Sequence, residues 1–228
     1  MQKLLLLHGA LGSQDYFNNL KIQLRNDFEM YSFNFNGHGG SAVGESDLSI
    51  PKFANEVLAF MQQHQIETIN IFGYSMGGYV GLYLAKYFPK KIEKLFILAT
   101  KWDWNLESAT RESKMLNPIV IKERVPKYAD GLTKLHGNNW EVLMQKTAAM
   151  MLDLGANPTL TNDDLTEITT PILIAVGDKD SMVSIEETTT MYRGLPNAQL
   201  LVLPNTAHPI DRLDTSLLAY QIGHYFLQ

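Results

Sequence analysis

The chain has 228 residues, a formal net charge of −5, 45% hydrophobic and 19% charged residues, and no cysteine. That length can bury a large core in a single domain. The acidic balance argues against a nucleic-acid partner, and the missing thiols exclude disulfides, cysteine nucleophiles and thiolate metal sites.

A first strand is expected over Lys3–Leu7, whose unbroken apolar run suits a parallel strand buried on both faces. Leu4–Leu7 is too short for the apolar region of a signal peptide. His8–Gly9–Ala10–Leu11–Gly12–Ser13 follows as a loop, and Ser13 is placed to cap a helix carrying Tyr16, Phe17, Leu20 and Leu24 on one stripe. Met30–Phe35 alternates as a second strand, and Asn36–Gly37–His38–Gly39–Gly40–Ser41 reads as a loop. A helix is expected from Pro51 to His64, with Phe53, Val57, Phe60 and Met61 facing inward. Ile69–Phe72 forms the next strand, Tyr79–Ala85 lies in the helix after it, and Leu95–Ala99 is a fourth strand.

From Thr100 to Thr170 no strand-like run occurs. Ser108–Asn117, Pro118–His136 and Asn139–Leu154 read as helices, Pro126 divides the second, and a short helix follows Thr161. So much helix between two strands exceeds a single crossover and is read as an inserted helical cap. Strands resume at Pro171–Val176 and Gln199–Leu203, with a helix over Ser184–Arg193 between them. A final helix is expected from about Asp211. The fold class is therefore α/β, a mainly parallel sheet of six strands with helices on both faces. Residues 1–100 and 171–228 form its core and 101–170 the cap. No run approaches the ~20 apolar residues of a membrane span. A cytoplasmic protein acting on a small molecule is expected, monomeric or homodimeric, with no nucleic-acid or membrane partner.

The unusual residues cluster in loops that follow strands, where open parallel sheets build their sites. Gly73–Tyr74–Ser75–Met76–Gly77–Gly78 has the G-x-S-x-G spacing between a strand and a helix. That turn holds its serine in a strained conformation with the hydroxyl exposed. A serine hydroxyl needs a base, and a histidine base needs a carboxylate to orient it. Among six histidines, His64, His136 and His224 lie in helices or at their ends and read as surface residues, whereas His8, His38 and His208 lie in loops after strands. His208 follows the last strand, and Asp178 and Asp180 both follow the strand before it. The order serine, aspartate, histidine is the one found in α/β-hydrolases.

On these motifs the sequence resembles the α/β-hydrolase superfamily, in the branch with a helical cap after the sixth strand of the full family sheet. The resemblance rests on His8–Gly9–Ala10, Gly37–His38–Gly39–Gly40–Ser41, Gly73–Gly78, Gly177–Asp178–Lys179–Asp180–Ser181–Met182–Val183 and His208. With Met1 just ahead of the first strand, two strands usual in the family are expected to be missing. The resemblance implies Ser75 as nucleophile, His208 as general base and Asp180 as its carboxylate. It also implies the backbone N–H groups of Ala10 and Met76 as an oxyanion hole. His8 and His38 are read as loop braces, and neither a metal nor a cofactor is expected. The implied reaction is hydrolysis of a small ester, thioester or related acyl bond. Carbon–carbon bond hydrolysis and the lyase step of menaquinone synthesis are the alternatives within the fold, and a non-catalytic receptor is a third. The lyase's paired substrate-binding arginines are not evident, since 101–170 holds only Arg111 and Arg124. Leu11, Trp102, Trp104, Met144 and Met151 are the expected substrate contacts, from their place beside the site loops and in the cap.

Overall fold

The computed structural model describes residues 1–228. Strand β1 (Gln2–Leu7) pairs in parallel with β2 (Phe28–Ser32) on one side and β3 (Ile69–Tyr74) on the other. The sheet continues through β4 (Ile92–Leu98), β5 (Ile172–Gly177) and β6 (Ala198–Leu203), in the order β2-β1-β3-β4-β5-β6 with every pairing parallel. The strands' two-residue period splits the core into two layers. Leu4, Leu6, Phe72 and Phe96 face α1 (Asn18–Leu24) and α10 (Thr215–Phe226). Leu5, Leu7, Ile71 and Leu95 face α2 (Ile50–Gln63), α3 (Met76–Tyr87) and α9 (Ile185–Gly194).

Between β4 and β5 run α4 (Leu106–Lys114), α5 (Pro118–Arg124), α6 (Pro126–His136), α7 (Trp140–Ala156) and α8 (Asn162–Glu167). Pro126 divides α5 from α6, as its missing N–H requires. Both ends of this insertion are tied down. The Glu187 carboxylate of α9 accepts the N–H groups of Trp102 (2.7 Å) and Asp103 (2.9 Å). At the far end the Tyr79 hydroxyl accepts the Leu160 N–H at 3.3 Å.

Several element bounds depart from expectation: β4 starts at Ile92 rather than Leu95, α4 ends at Lys114 rather than Asn117, and two further departures have a visible cause. The second strand ends at Ser32 rather than Phe35. Beyond it Phe33 stacks on Phe60, and the Phe35 N–H leaves the sheet to donate to His8 Nε2 at 3.2 Å. The last helix starts at Thr215, because the Asp214 carboxylate caps it by accepting the N–H groups of Ser216 and Leu217. Asp211 belongs instead to a short 3-10 turn, Ile210–Arg212. No helix is long and apolar enough to cross a membrane.

Candidate active site

Ser75 stands between the end of β3 and the start of α3, with φ +53° and ψ −117°. A side chain rarely tolerates that region, and the strain turns the hydroxyl out of the sheet. The turn is held tight by close backbone approach. A Cβ at Gly77 would lie 2.3 Å from the Leu7 carbonyl oxygen, and one at Gly73 would lie 2.6 Å from the Gly77 carbonyl oxygen. The Ser75 N–H donates to the Leu98 carbonyl at 2.8 Å, which fixes the turn to β4.

His208 comes from the loop after β6. Its Nε2 lies 3.3 Å from Ser75 Oγ, and its Nδ1 lies 2.8 Å from Asp180 Oδ2. The Asp180 side chain is 1% exposed. Its other oxygen accepts the N–H groups of Met182 (2.8 Å) and Val183 (2.9 Å), so both carboxylate oxygens are engaged. With Nδ1–H donating to the carboxylate, Nε2 is left as an acceptor toward the serine hydroxyl. Tyr74 steadies the histidine from behind, donating its hydroxyl to the His208 carbonyl at 2.8 Å. Of the two aspartates open from spacing, only Asp180 meets His208. Asp178 accepts the Thr206 N–H at 3.0 Å and ties the two loops together; backbone N–H groups of Asn205 and Thr206 hold its carboxyl below the usual range. The N–H of Met76 opens α3 and so has no intrahelical acceptor, while that of Ala10 donates to no backbone carbonyl.

Two cavities meet at Ser75, and Ala10, Met151, Met182 and His208 line both. The first, about 520 Å³ of empty space with its mouth included, is walled by Tyr79, Trp104, Met150, Leu154, Lys101 and Glu112. The second is a more open groove of about 1360 Å³ along Leu11, Tyr16, Leu116, Tyr128 and Pro209–Arg212. Of the residues expected to contact substrate, Leu11, Trp104 and Met151 border the cavities. Trp102 and Met144 do not. The Trp102 indole N–H turns away to donate to Asn162 at 2.9 Å, and its ring borders an outer surface pocket. Met144 is fully buried in the core on α7. The sequence reading missed Glu112, Tyr79 and Leu154, although Leu154 lies three residues beyond Met151 on the same helical face.

The chain matches the family model described as alpha/beta hydrolase fold over residues 3–141. It belongs to that family. A Synechocystis protein that carries a provisional non-heme chloroperoxidase name is 23% identical over 92% of this chain and 86% of its own length. Lipase 3 of Moraxella is 24% identical over 91% of this chain and 71% of its own. A solved thermophilic esterase from Thermogutta terrifontis superposes with a TM-score of 0.80 at 19% identity, covering 100% of this chain and 90% of that one. The names differ while the fold is shared, which is usual where function lies in a site carried by a common scaffold.

In this α/β-hydrolase the loop after β1 is braced by three buried histidines. His8 donates from Nδ1 to the Gly9 carbonyl (2.8 Å) and accepts the Phe35 N–H at Nε2. His38 donates from Nδ1 to the Asn36 carbonyl (3.0 Å) and accepts the Leu11 N–H at Nε2 (3.2 Å). His136, expected at the surface, is 1% exposed. It accepts the Gly39 N–H at Nδ1 (3.0 Å) and donates from Nε2 to the Leu11 carbonyl (2.9 Å). Every ring nitrogen is used, one as donor and one as acceptor, which specifies the neutral form of each. Burial accordingly pushes His8 down to about 4 and His38 to about 3, and lowers His136 as well.

Proposed function

We propose that the protein is a serine hydrolase that cleaves a small ester through an acyl-enzyme. In the first step Ser75 Oγ attacks the ester carbonyl carbon while His208 Nε2 takes the hydroxyl proton. The carbonyl oxygen, now anionic, is received by the N–H groups of Ala10 and Met76. When the tetrahedral intermediate collapses, the bond to the alcohol oxygen breaks and His208 returns the proton to it. A water then attacks the acyl-serine with the same base, releasing the acid and restoring the Ser75 hydroxyl. Asp180 keeps the imidazole in the required tautomer and offsets its transient positive charge.

The observation that carries this reading is the continuous chain from Ser75 Oγ through His208 to Asp180, 3.3 Å and then 2.8 Å, at the junction of two cavities. The longer of the two contacts is in keeping with a site without substrate, where catalytic hydrogen bonds are often loose. The leaving alcohol departs before the acyl group does, so the open groove suits the alcohol and the more enclosed cavity the acyl chain. On this reading 101–170 is a cap that shapes the acyl side through Trp104, Met150, Met151 and Leu154. Neither Arg111 nor Arg124 borders either cavity, which speaks against a lyase that needs an arginine pair there. A fluorophosphonate probe tests the proposal: it labels Ser75 in the native protein and nothing in Ser75→Ala. Labelling that survives the substitution overturns it.

A further inference from the structure

One side chain in the Ser75 cavity is unaccounted for by the hydrolytic machinery. Glu112 lies on α4 and its side chain is 3% exposed. Its Oε1 is 3.2 Å from Arg111 Nε, whose own side chain reaches into solvent. Its Oε2 is buried without any hydrogen-bond partner. Three buried side-chain polar atoms of the chain lack a partner, and only this one belongs to a residue lining the cavity. A carboxylate oxygen left so in an apolar cavity is costly and is retained where something pairs with it.

The placement is rigid. Ser108, Ala109 and Glu112 form the buried face of α4. Asn105 caps the helix, accepting the N–H groups of Glu107 and Ser108. At the crossing with α7 a Cβ on Gly155 would lie 2.3 Å from the Ala109 Cβ. That glycine lets α4 press against α7, and Glu112 is held one turn further along. The other charged group on the cavity wall, Lys101, is engaged by Glu187 at 3.5 Å.

We propose that Glu112 is a specificity residue whose free oxygen accepts a hydrogen bond from a hydroxyl on the acyl chain of the substrate. The inference rests on the serine-hydrolase reading and narrows its substrate class to hydroxylated acyl esters. A neutral hydroxyl fits better than an ammonium group, because Arg111 already offsets the carboxylate and Lys101 stands on the same wall. The apolar remainder, Met150, Met151 and Leu154, takes the chain's methylene groups.

The test measures kcat/KM for p-nitrophenyl esters of 3-hydroxybutyric, 3-hydroxyhexanoic, 6-hydroxyhexanoic and 6-aminohexanoic acids beside their unsubstituted parents. The native enzyme prefers at least one hydroxylated ester over its parent by tenfold or more. Glu112→Met and Glu112→Ala both abolish that preference, and Glu112→Gln, which keeps an acceptor oxygen, retains part of it. Equal rates on hydroxylated and plain esters, a preference for the amine alone, or an unchanged ratio in either apolar variant overturns the assignment while leaving the hydrolase reading intact. No ester turnover together with no fluorophosphonate labelling overturns the hydrolase reading itself and this one with it.

Discussion

Mild acid separates a histidine brace from an ordinary buried core. His8 and His38 are held neutral in the folded protein, down to about 4 and about 3, chiefly by burial, with the neighbouring histidine adding to the effect at His38. In the unfolded chain each takes up its proton near pH 6.5. Between these limits the unfolded state binds more protons than the folded one, so stability rises with pH. The contribution is complete above about pH 6.5 and is lost as pH falls through the window below it. Each tenfold in proton affinity is worth about 1.4 kcal/mol, so at pH 5 each of the two rings costs about 2 kcal/mol. Together that is about 4 kcal/mol out of a typical total of about 5–15 kcal/mol. His136 shifts in the same direction and adds to the loss. Urea unfolding at pH 7, 6 and 5, at constant ionic strength, measures it. His38→Gln, compared at the same pH values, loses stability at pH 7 but falls by about 2 kcal/mol less on acidification. The comparison cancels groups that titrate elsewhere. A wild-type curve that falls by less than about 1 kcal/mol, or a variant with the wild-type slope, refutes the argument that burial holds these rings neutral.

Other substitutions separate roles that proximity alone confuses. Asp180→Asn, which presents the wrong tautomer to Ser75, lowers kcat by roughly 10⁴, whereas Asp178→Asn stays within about tenfold and shows its effect in thermal unfolding. His136→Ala frees the Leu11 carbonyl and the Gly39 N–H; it lowers kcat by about tenfold or more through the neighbouring Ala10 donor, and an unchanged kcat would show that the loop holds itself. Met144→Ala costs about 2–5 kcal/mol of stability with no change in acyl-length preference. Met151→Ala does the reverse, shifting the preferred acyl length in a graded ester series.

The strands, the serine turn and the loops after β5 and β6 were readable because local chemistry dictates them. An unbroken apolar run, a G-x-S-x-G turn and a Pro in a helix pattern each allow few conformations. Asp180 and Asp178 could not be separated in this way, because both lie in one loop and only the direction of each side chain distinguishes them. Met144 was misplaced for a related reason. It lies two turns before Met151 on one stripe of α7, and which turn of that stripe meets the core and which the cavity depends on how α7 lies across the sheet. His136 looked exposed because it ends a helix before Gly137, yet the end of α6 docks on the loop after β1. Ser184-x-x-Glu187 has the pattern of a capping box and does cap α9. Its second use, holding Trp102 and Asp103, spans more than 80 residues and leaves no local trace.

These long-range contacts bear on how substrate choice and chemistry are joined. Several ties between the helical insertion and the core run through Glu187, Tyr79 and the backbone of Leu11 and Gly39. Tyr79 lies one turn of α3 beyond Ser75. Glu187 lies on the helix that follows Asp180. Leu11 adjoins Ala10. Each anchor is thus rooted beside a residue proposed for catalysis, in the helix of the nucleophile turn, the helix after the acid loop or the oxyanion loop. Helices that vary in sequence can then reshape the cavity wall while the anchors hold the reacting groups in register, because the contacts at Trp102, Asp103, Leu160, Leu11 and Gly39 are all made by backbone groups. A backbone donor or acceptor survives a change of its own side chain. At these anchors the side chains that must not change are the partners, Glu187, Tyr79 and His136, while Lys146 on the carbonyls of Gly44–Ser46 and Asp164 and Glu167 on Lys86 are side-chain ties that the insertion itself supplies.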